Sequence, residues 1–181
     1  MPQFTKRAIK DAFMSLLNER PFEKITVKDI IEKCGVSRNT FYYHFQDVYD
    51  LMGEILDDEM IRLEADNTET PNWIEAFKQA TEFARQNKRA VYHLYKSVNH
   101  SYLERYLYNA IYCKMENLVN QRARGIECSQ KEKRIMSEFY TFALMGEIFH
   151  WLNTDMKTNI EEWVSELDSL INGITTDILK K

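Results

Sequence analysis

Apolar residues first recur at helical spacing in KRAIKDAFMSLLNER, where Ile9, Ala12, Phe13, Leu16 and Leu17 lie one, three or four apart. That rhythm lays a single apolar stripe along a helix, beginning after Thr5. Pro21 ends it, because proline has no N–H to continue the ladder. The next run, VKDIIEKC, follows Thr26, a good N-cap, with Asp29 three residues on as a short version of the reciprocal capping partner. Gly35 stands where a left-handed residue ends a helix. Ser37 is placed to cap a short helix from Arg38 to Phe45. Asp47 is placed to cap another, from near Val48 through Leu51, Ile55 and Leu56 to about Glu64.

Past Glu64 the pattern breaks in ADNTETPN, a polar loop with a proline. Helical rhythm resumes in WIEAFKQATEFARQN, in KRAVYHLYKSV after Asn87, and from Ser101 to Arg124. Ser101 with Glu104, Ser129 with Glu132, and Thr158 with Glu161 match the capping box and mark three helix starts. In the two last helices, Ile135, Phe139, Phe142, Gly146 and Phe149 form one stripe, and Trp163, Leu167, Leu170, Ile174 and Ile178 form another. Two such stripes from each of two copies would build a four-helix interface, with Gly146 allowing close approach. They would equally serve to close the chain's own core. No strand-like alternation and no internal repeat appears, so the expected class is all-α.

Composition agrees. Glycine and proline number five and three in 181 residues, of which 44% are hydrophobic and 29% charged. No apolar run approaches the ~18–20 residues of a membrane span, and the first residues lack the form of a secretory signal, so the expectation is a cytoplasmic protein without membrane contact. The net charge of −4 speaks on its face against nucleic acid. Its distribution changes that: residues 1–50 hold eight Lys/Arg against seven Asp/Glu, leaving sixteen against twenty-one for the rest. Three scattered cysteines, Cys34, Cys113 and Cys128, read as thiols in a reducing compartment. His93 and His100 are about 10 Å apart along a helix, too far to share a metal. No metal and no cofactor is expected. HExxH, GxSxG and glycine-rich phosphate loops are missing, so nothing positive points to an enzyme.

The chemistry concentrates in ITVKDIIEKCGVSRNTFYYHFQDVYDL. Two short helices joined by CGV are the sequence form of a helix-turn-helix. Phe41 and Phe45, four apart, share one face and can join Ile30, Ile31 and Val36 in a core. Arg38, Asn39, Thr40, Tyr42, Tyr43 and His44 then point elsewhere.

This stretch, from Thr5 to Leu51, resembles the DNA-binding region of the TetR family, the tetracycline-repressor-like regulators, above all in TVKDIIEKCGVSRNTFYYHF. The resemblance covers about a quarter of the chain. It implies a three-helix DNA-binding unit over 1–47, a connecting helix over 48–64, and an all-helical body to 181 that binds an effector and dimerises. It makes Arg38, Asn39, Thr40 and Tyr43 candidates for base contacts, Tyr42, His44 and Thr26 for phosphate contacts, and Lys28 for either, with Ser37 at the start of the recognition helix. The chemistry suits these roles: arginine can bridge guanine O6 and N7, asparagine adenine, and a tyrosine ring can meet a thymine methyl. One departure is Val48, where many members carry lysine, flanked by Asp47 and Asp50. Affinity is then expected to lean on Lys6, Arg7 and Lys28.

The partners implied are a double-stranded operator, a second copy of the chain, and an unidentified small-molecule effector or protein partner. For the effector the candidates are Tyr95, Tyr102 and Tyr106, aromatic walls with hydroxyls. For the dimer they are Phe139, Phe142, Gly146, Phe149, Trp163, Leu167, Leu170 and Ile174. Repression relieved by an effector is the expected output. A helical protein-interaction module, or an activator controlled by a protein partner, is the alternative reading.

Overall fold

The computed structural model describes the backbone of residues 2–65, 73–97, 101–160 and 162–169, and their side chains except at 2, 60 and 62–65. In chain order come α1 (Pro2–Glu19), a 3-10 turn (Phe22–Lys24), α2 (Val27–Cys34), α3 (Arg38–His44), α4 (Val48–Ala65), α5 (Trp73–Gln86), α6 (Lys88–Tyr95), α7 (Ser101–Arg122) and α8 (Gln130–Asn153). A last helix, α9, holds 160 and 162–169. The fold is all-α, with no strand among the described residues. No helix among them is long and apolar enough to cross a membrane.

Two predicted helix starts move. α1 begins at Pro2 and not after Thr5, since proline in a first turn withholds an N–H that has no helical partner there anyway. The start expected from Thr158 and Glu161 falls one residue later. Asn159 accepts from the Glu162 N–H at 3.3 Å and its amide donates to the Glu162 carboxylate at 3.1 Å, while the Thr158 hydroxyl pairs with Thr154 at 3.0 Å. Asn159 closes the cap with both groups of its amide, while the Thr158 hydroxyl is engaged with Thr154.

The chain divides into two compact units, one of Met1–Ala65 with Phe83–Leu103, the other of Asp66–Glu82 with Glu104–Lys181. In the first, the α1 stripe is fully realised: Ile9, Phe13, Leu16 and Leu17 are buried with Phe22, Ile30, Phe41, Phe45 and Leu51. Phe22 meets Phe13 edge-on at 6.2 Å and Tyr49 at 5.0 Å, so the 3-10 turn seals α1 against the start of α4. Each such phenylalanine contributes about 1.5–3 kcal/mol by leaving water. Lys6 and Lys10 of α1 both pair with Glu54 of α4, and Lys10 also with Asp58.

The second unit has its own core of Trp73, Met115, Val119, Ala123, Met136, Tyr140, Leu144 and Val164. Asp168 of α9 binds it at one edge: its Oδ1 accepts from Trp73 Nε1 and from Arg122 Nη2, both at 3.0 Å. Ser137 and Thr141, buried on α8, donate back to the carbonyls of Lys133 and Ser137 at 2.9 and 2.7 Å. Local bonding of this kind lets a hydroxyl sit in an apolar helix face.

Candidate nucleic-acid interface

The geometry of α3 is built by three local devices. Thr26 closes a reciprocal capping box with Asp29, whose carboxylate accepts from the Thr26 N–H at 2.8 Å and from its hydroxyl at 2.6 Å. Gly35 ends α2 with φ 72°, a left-handed turn in which glycine is unstrained, and returns its N–H to the Ile31 carbonyl. Ser37 then caps α3 by accepting from the Thr40 N–H at 3.0 Å. A hydrogen bond of 2.7 Å also joins the Ser37 and Thr40 hydroxyls. Phe41 and Phe45, 0% and 1% exposed, fix the inner face of α3, so its outer face is set by rotation alone.

On that outer face Arg38, Asn39, Tyr42 and Tyr43 are exposed, while Thr40 and His44 are half-buried. Tyr43 is 79% exposed, against 47% for Tyr42, with its ring edge-on to His44 at 5.0 Å. Tyr42 rests edge-on against buried Phe41 at 5.5 Å. Arg38, one turn earlier, lies over the Tyr42 ring at 5.7 Å and brings Nη2 to 3.5 Å from its hydroxyl. This i,i+4 pairing restricts the guanidinium before any partner arrives, a feature the spacing alone would have allowed one to find.

The remaining candidates are less open. The Thr26 hydroxyl already donates to Asp29, so a phosphate contact from it would have to exchange that bond; of the Ser37 and Thr40 hydroxyls one donates to the other, and the second keeps its own proton for a further acceptor. Lys28 is free to reach outward, its side chain 78% exposed and 3.7 Å from Glu32. Arg7 is similarly open beside Asp11. Lys6 is held instead by Glu54 at 2.7 Å and lies over the Phe45 ring at 5.6 Å, so it serves first as a tie between α1, α3 and α4. At the Val48 end, Asp47 accepts from the Asp50 N–H, and Asp50 from the Gln46 N–H, both at 2.8 Å. Two carboxylates thus occupy the amides of this helix start.

Charge state follows the bonding. The hydroxyl and N–H of Thr26 hold Asp29 below the usual aspartate value, helped by Arg20. Burial pushes Glu54 up, but hydrogen bonds from Lys10 and Lys6 outweigh it and the carboxyl is lowered. Burial likewise pulls Lys10 down, yet Asp58 and Glu54 raise it overall.

Outside α3 the candidates separate. Tyr95 and Tyr102 belong to the first unit and Tyr106 to the second; Tyr102 lies 5.3 Å from the Tyr49 ring. On α8, Phe139 and Phe142 are 64% and 60% exposed and Ile135 is 51%, with Gly146 open and Phe149 half-buried. Trp163 and Leu167 are half-buried and pack on the second unit's own core. Leu170, Ile174 and Ile178 lie outside the described residues. The three cysteines are free thiols.

Comparison with known proteins matches residues 9–55 to the bacterial regulatory proteins of the tetR family, and residues 71–173 to a transcriptional regulator C-terminal region. Among curated proteins, 58 residues are 33% identical to an uncharacterized HTH-type transcriptional regulator, YxbF, of Bacillus subtilis (strain 168), covering 32% of this chain and 15% of that protein. Over 69 residues the chain is 30% identical to the HTH-type dhaKLM operon transcriptional activator DhaS of Lactococcus lactis subsp. lactis (strain IL1403), covering 38% of this chain and 37% of that one. Both matches span well under two thirds of the relative's length. Over whole chains, a solved dihydroxyacetone kinase operon activator DhaS superposes with a TM-score of 0.70 at 18% identity, covering 98% of each. A TetR transcriptional regulator from Streptococcus agalactiae 2603V superposes at 0.66 and 22%, covering 94% of each. At those identities the likeness is one of fold.

Proposed function

The chain belongs to the tetR family of bacterial regulatory proteins and is a DNA-binding transcriptional regulator, not an enzyme; we propose that it reads a palindromic operator as a homodimer through α3. One observation carries the reading. α3 buries Phe41 and Phe45 completely while presenting Arg38, Asn39 and Tyr43 to solvent, an arrangement that fits a helix seated in a major groove. Arg38 suits guanine, Asn39 adenine, and the Tyr43 ring a thymine methyl with its hydroxyl toward a phosphate. Lys28 and Arg7 supply outlying phosphate contacts. Thr26, Ser37 and Thr40 act mainly in shaping the helix, with Tyr42 and His44 flanking the readers.

In this proposal the protein works in the cytoplasm as a repressor, released when an effector bound by the C-terminal region favours a state whose two reading helices no longer match the half-sites. Any such effector acts only through its different affinity for the two states. A second reading, activation, is favoured by the relative named as a transcriptional activator.

Fluorescence anisotropy of the purified protein on DNA flanking its own gene, across a salt series, tests the proposal. Wild type is expected to bind a palindromic segment at nanomolar concentration and to weaken steeply with salt. Arg38→Ala and Tyr43→Ala should each lose roughly 1–3 kcal/mol and relax preference at one base pair per half-site. Weak binding that ignores sequence and both substitutions, followed by failure to enrich any duplex from a random pool, would sink it. Placing the bound segment upstream of a reporter separates repression from activation by the sign of the change.

A further inference from the structure

The end of α1 carries a defect that the chain repairs from a distance. Leu17 O would normally accept from the N–H four residues on, but that residue is Pro21 and has none. Its neighbour Leu16 does find a partner, the Arg20 N–H at 3.0 Å. Leu17 is 3% exposed, so water is a poor substitute, and a buried carbonyl without a donor is costly. His93 of α6 supplies the donor: its Nδ1 lies 2.6 Å from Leu17 O. A carbonyl only accepts, so Nδ1 carries the proton.

The repair ties α6 to the reading unit at a particular point. His93 shares a helix face with Ala90 and Leu94, both buried. α6 is the part of the intervening chain that belongs with α1–α4, whereas residues 73–82 of α5 and 104–122 of α7, on either side of it, belong to the second unit. From Leu17 the contacts continue toward the reading helix: Arg20 pairs with Asp29 at 3.2 Å and Glu19 with Lys33 at 2.7 Å. Asp29 is the same carboxylate that closes the α2 cap ahead of α3.

We infer that His93 is a positioning residue for operator binding: by donating to the carbonyl that Pro21 leaves without a partner, it fixes α6 to the reading unit and thereby holds α3 at its working separation in the dimer. The inference rests on the DNA-reading role proposed above. The His93–Leu17 bond is one link in a contiguous set of contacts that runs through Arg20 and Asp29 to the α2 cap.

The test uses the full chain and an operator duplex selected from a random pool, alongside the same duplex with one base pair added between half-sites. His93→Leu should fold by circular dichroism, bind the operator about two- to thirtyfold more weakly, and discriminate less between the two spacings. His93→Asn, whose amide nitrogen takes the place of Nδ1, should recover both properties, and His93→Gln, whose amide reaches the Nε2 place, should not. This pair decides the matter if the leucine variant does not fold. Pro21→Ala gives Leu17 O a local N–H without tying α6. Added to His93→Leu, it should restore thermal stability but neither affinity nor spacing discrimination. Wild-type affinity and spacing preference in His93→Leu and His93→Gln, or rescue of both by Pro21→Ala, would overturn the inference while leaving DNA reading intact. Failure of the wild type itself to select any duplex would remove both.

Discussion

Glu54 illustrates how much of the reading unit depends on single charged atoms away from its surface. It receives both Lys6 and Lys10, and those bonds lower its carboxyl from the ordinary value of 4.5. A carboxyl lowered in the folded state stabilises that state fully above its unfolded value, and the contribution is lost as pH falls through the lower native one. Asp29, also lowered, acts in the same direction. Acid unfolding followed by circular dichroism should therefore show Asp29→Asn and Glu54→Gln each less stable than wild type at neutral pH and each losing less on acidification; an acid limb unchanged from wild type would refute this account. Glu54 was invisible in the sequence as a partner of Lys6, because the two are far apart along the chain. The tie that Lys6 makes between helices therefore went unforeseen. Arg38 on Tyr42 was legible in principle, being one helical turn apart.

The helix-turn-helix from Thr26 to His44 was almost wholly legible, because each of its devices is local. Thr26 and Asp29, Ser37 and Thr40, and Gly35 after Cys34 act within one turn, and each appears where spacing put it. Where two residues compete for one cap the pattern was ambiguous, and α9 starts from Asn159 in place of Thr158. Longer connections were not legible at all: nothing in local spacing joins His93 to Leu17, 76 positions apart. Gly35 offers a clean test of the turn. A Cβ added there meets nothing within 4 Å, so Gly35→Ala changes only the backbone cost of φ 72°. That cost is about 1–2 kcal/mol for a left-handed L-residue. Urea unfolding should show this loss with an unchanged slope, and operator affinity at low denaturant should be retained, since α3 keeps its cap. A loss below a few tenths of a kcal/mol would mean that the turn relaxes out of the left-handed region.

The exposed face of α8 bears on the assembly as a whole. Ile135, Phe139 and Phe142 each leave half or more of their surface in water, although they follow one another at spacings of four and three. Apolar side chains that bunch on one face usually mark an interaction surface. Tyr108 lies 5.6 Å from the Phe142 ring and stacks on Tyr112 at 5.8 Å, which extends the aromatic surface onto α7. By contrast Trp163 and Leu167, half-buried, pack against their own unit's core. Periodicity cannot tell a stripe buried within a chain from one buried between chains, because both have the same spacing. A two-fold interface repeats every substitution, so removing one phenylalanine removes two from the assembled dimer. At about 1.5–3 kcal/mol for each buried ring, Phe142→Glu should cost enough to dissociate a micromolar dimer. Folding of each copy should be little affected, because the ring is already open to water. Sedimentation velocity should then find wild type dimeric and Phe142→Glu monomeric with unchanged circular dichroism. The monomer should bind a full palindrome no more tightly than one half-site, because the benefit of linking two reading heads is an effective concentration and not a new contact. A Phe142→Glu protein that remains dimeric and keeps its operator affinity would move the interface off this face of α8.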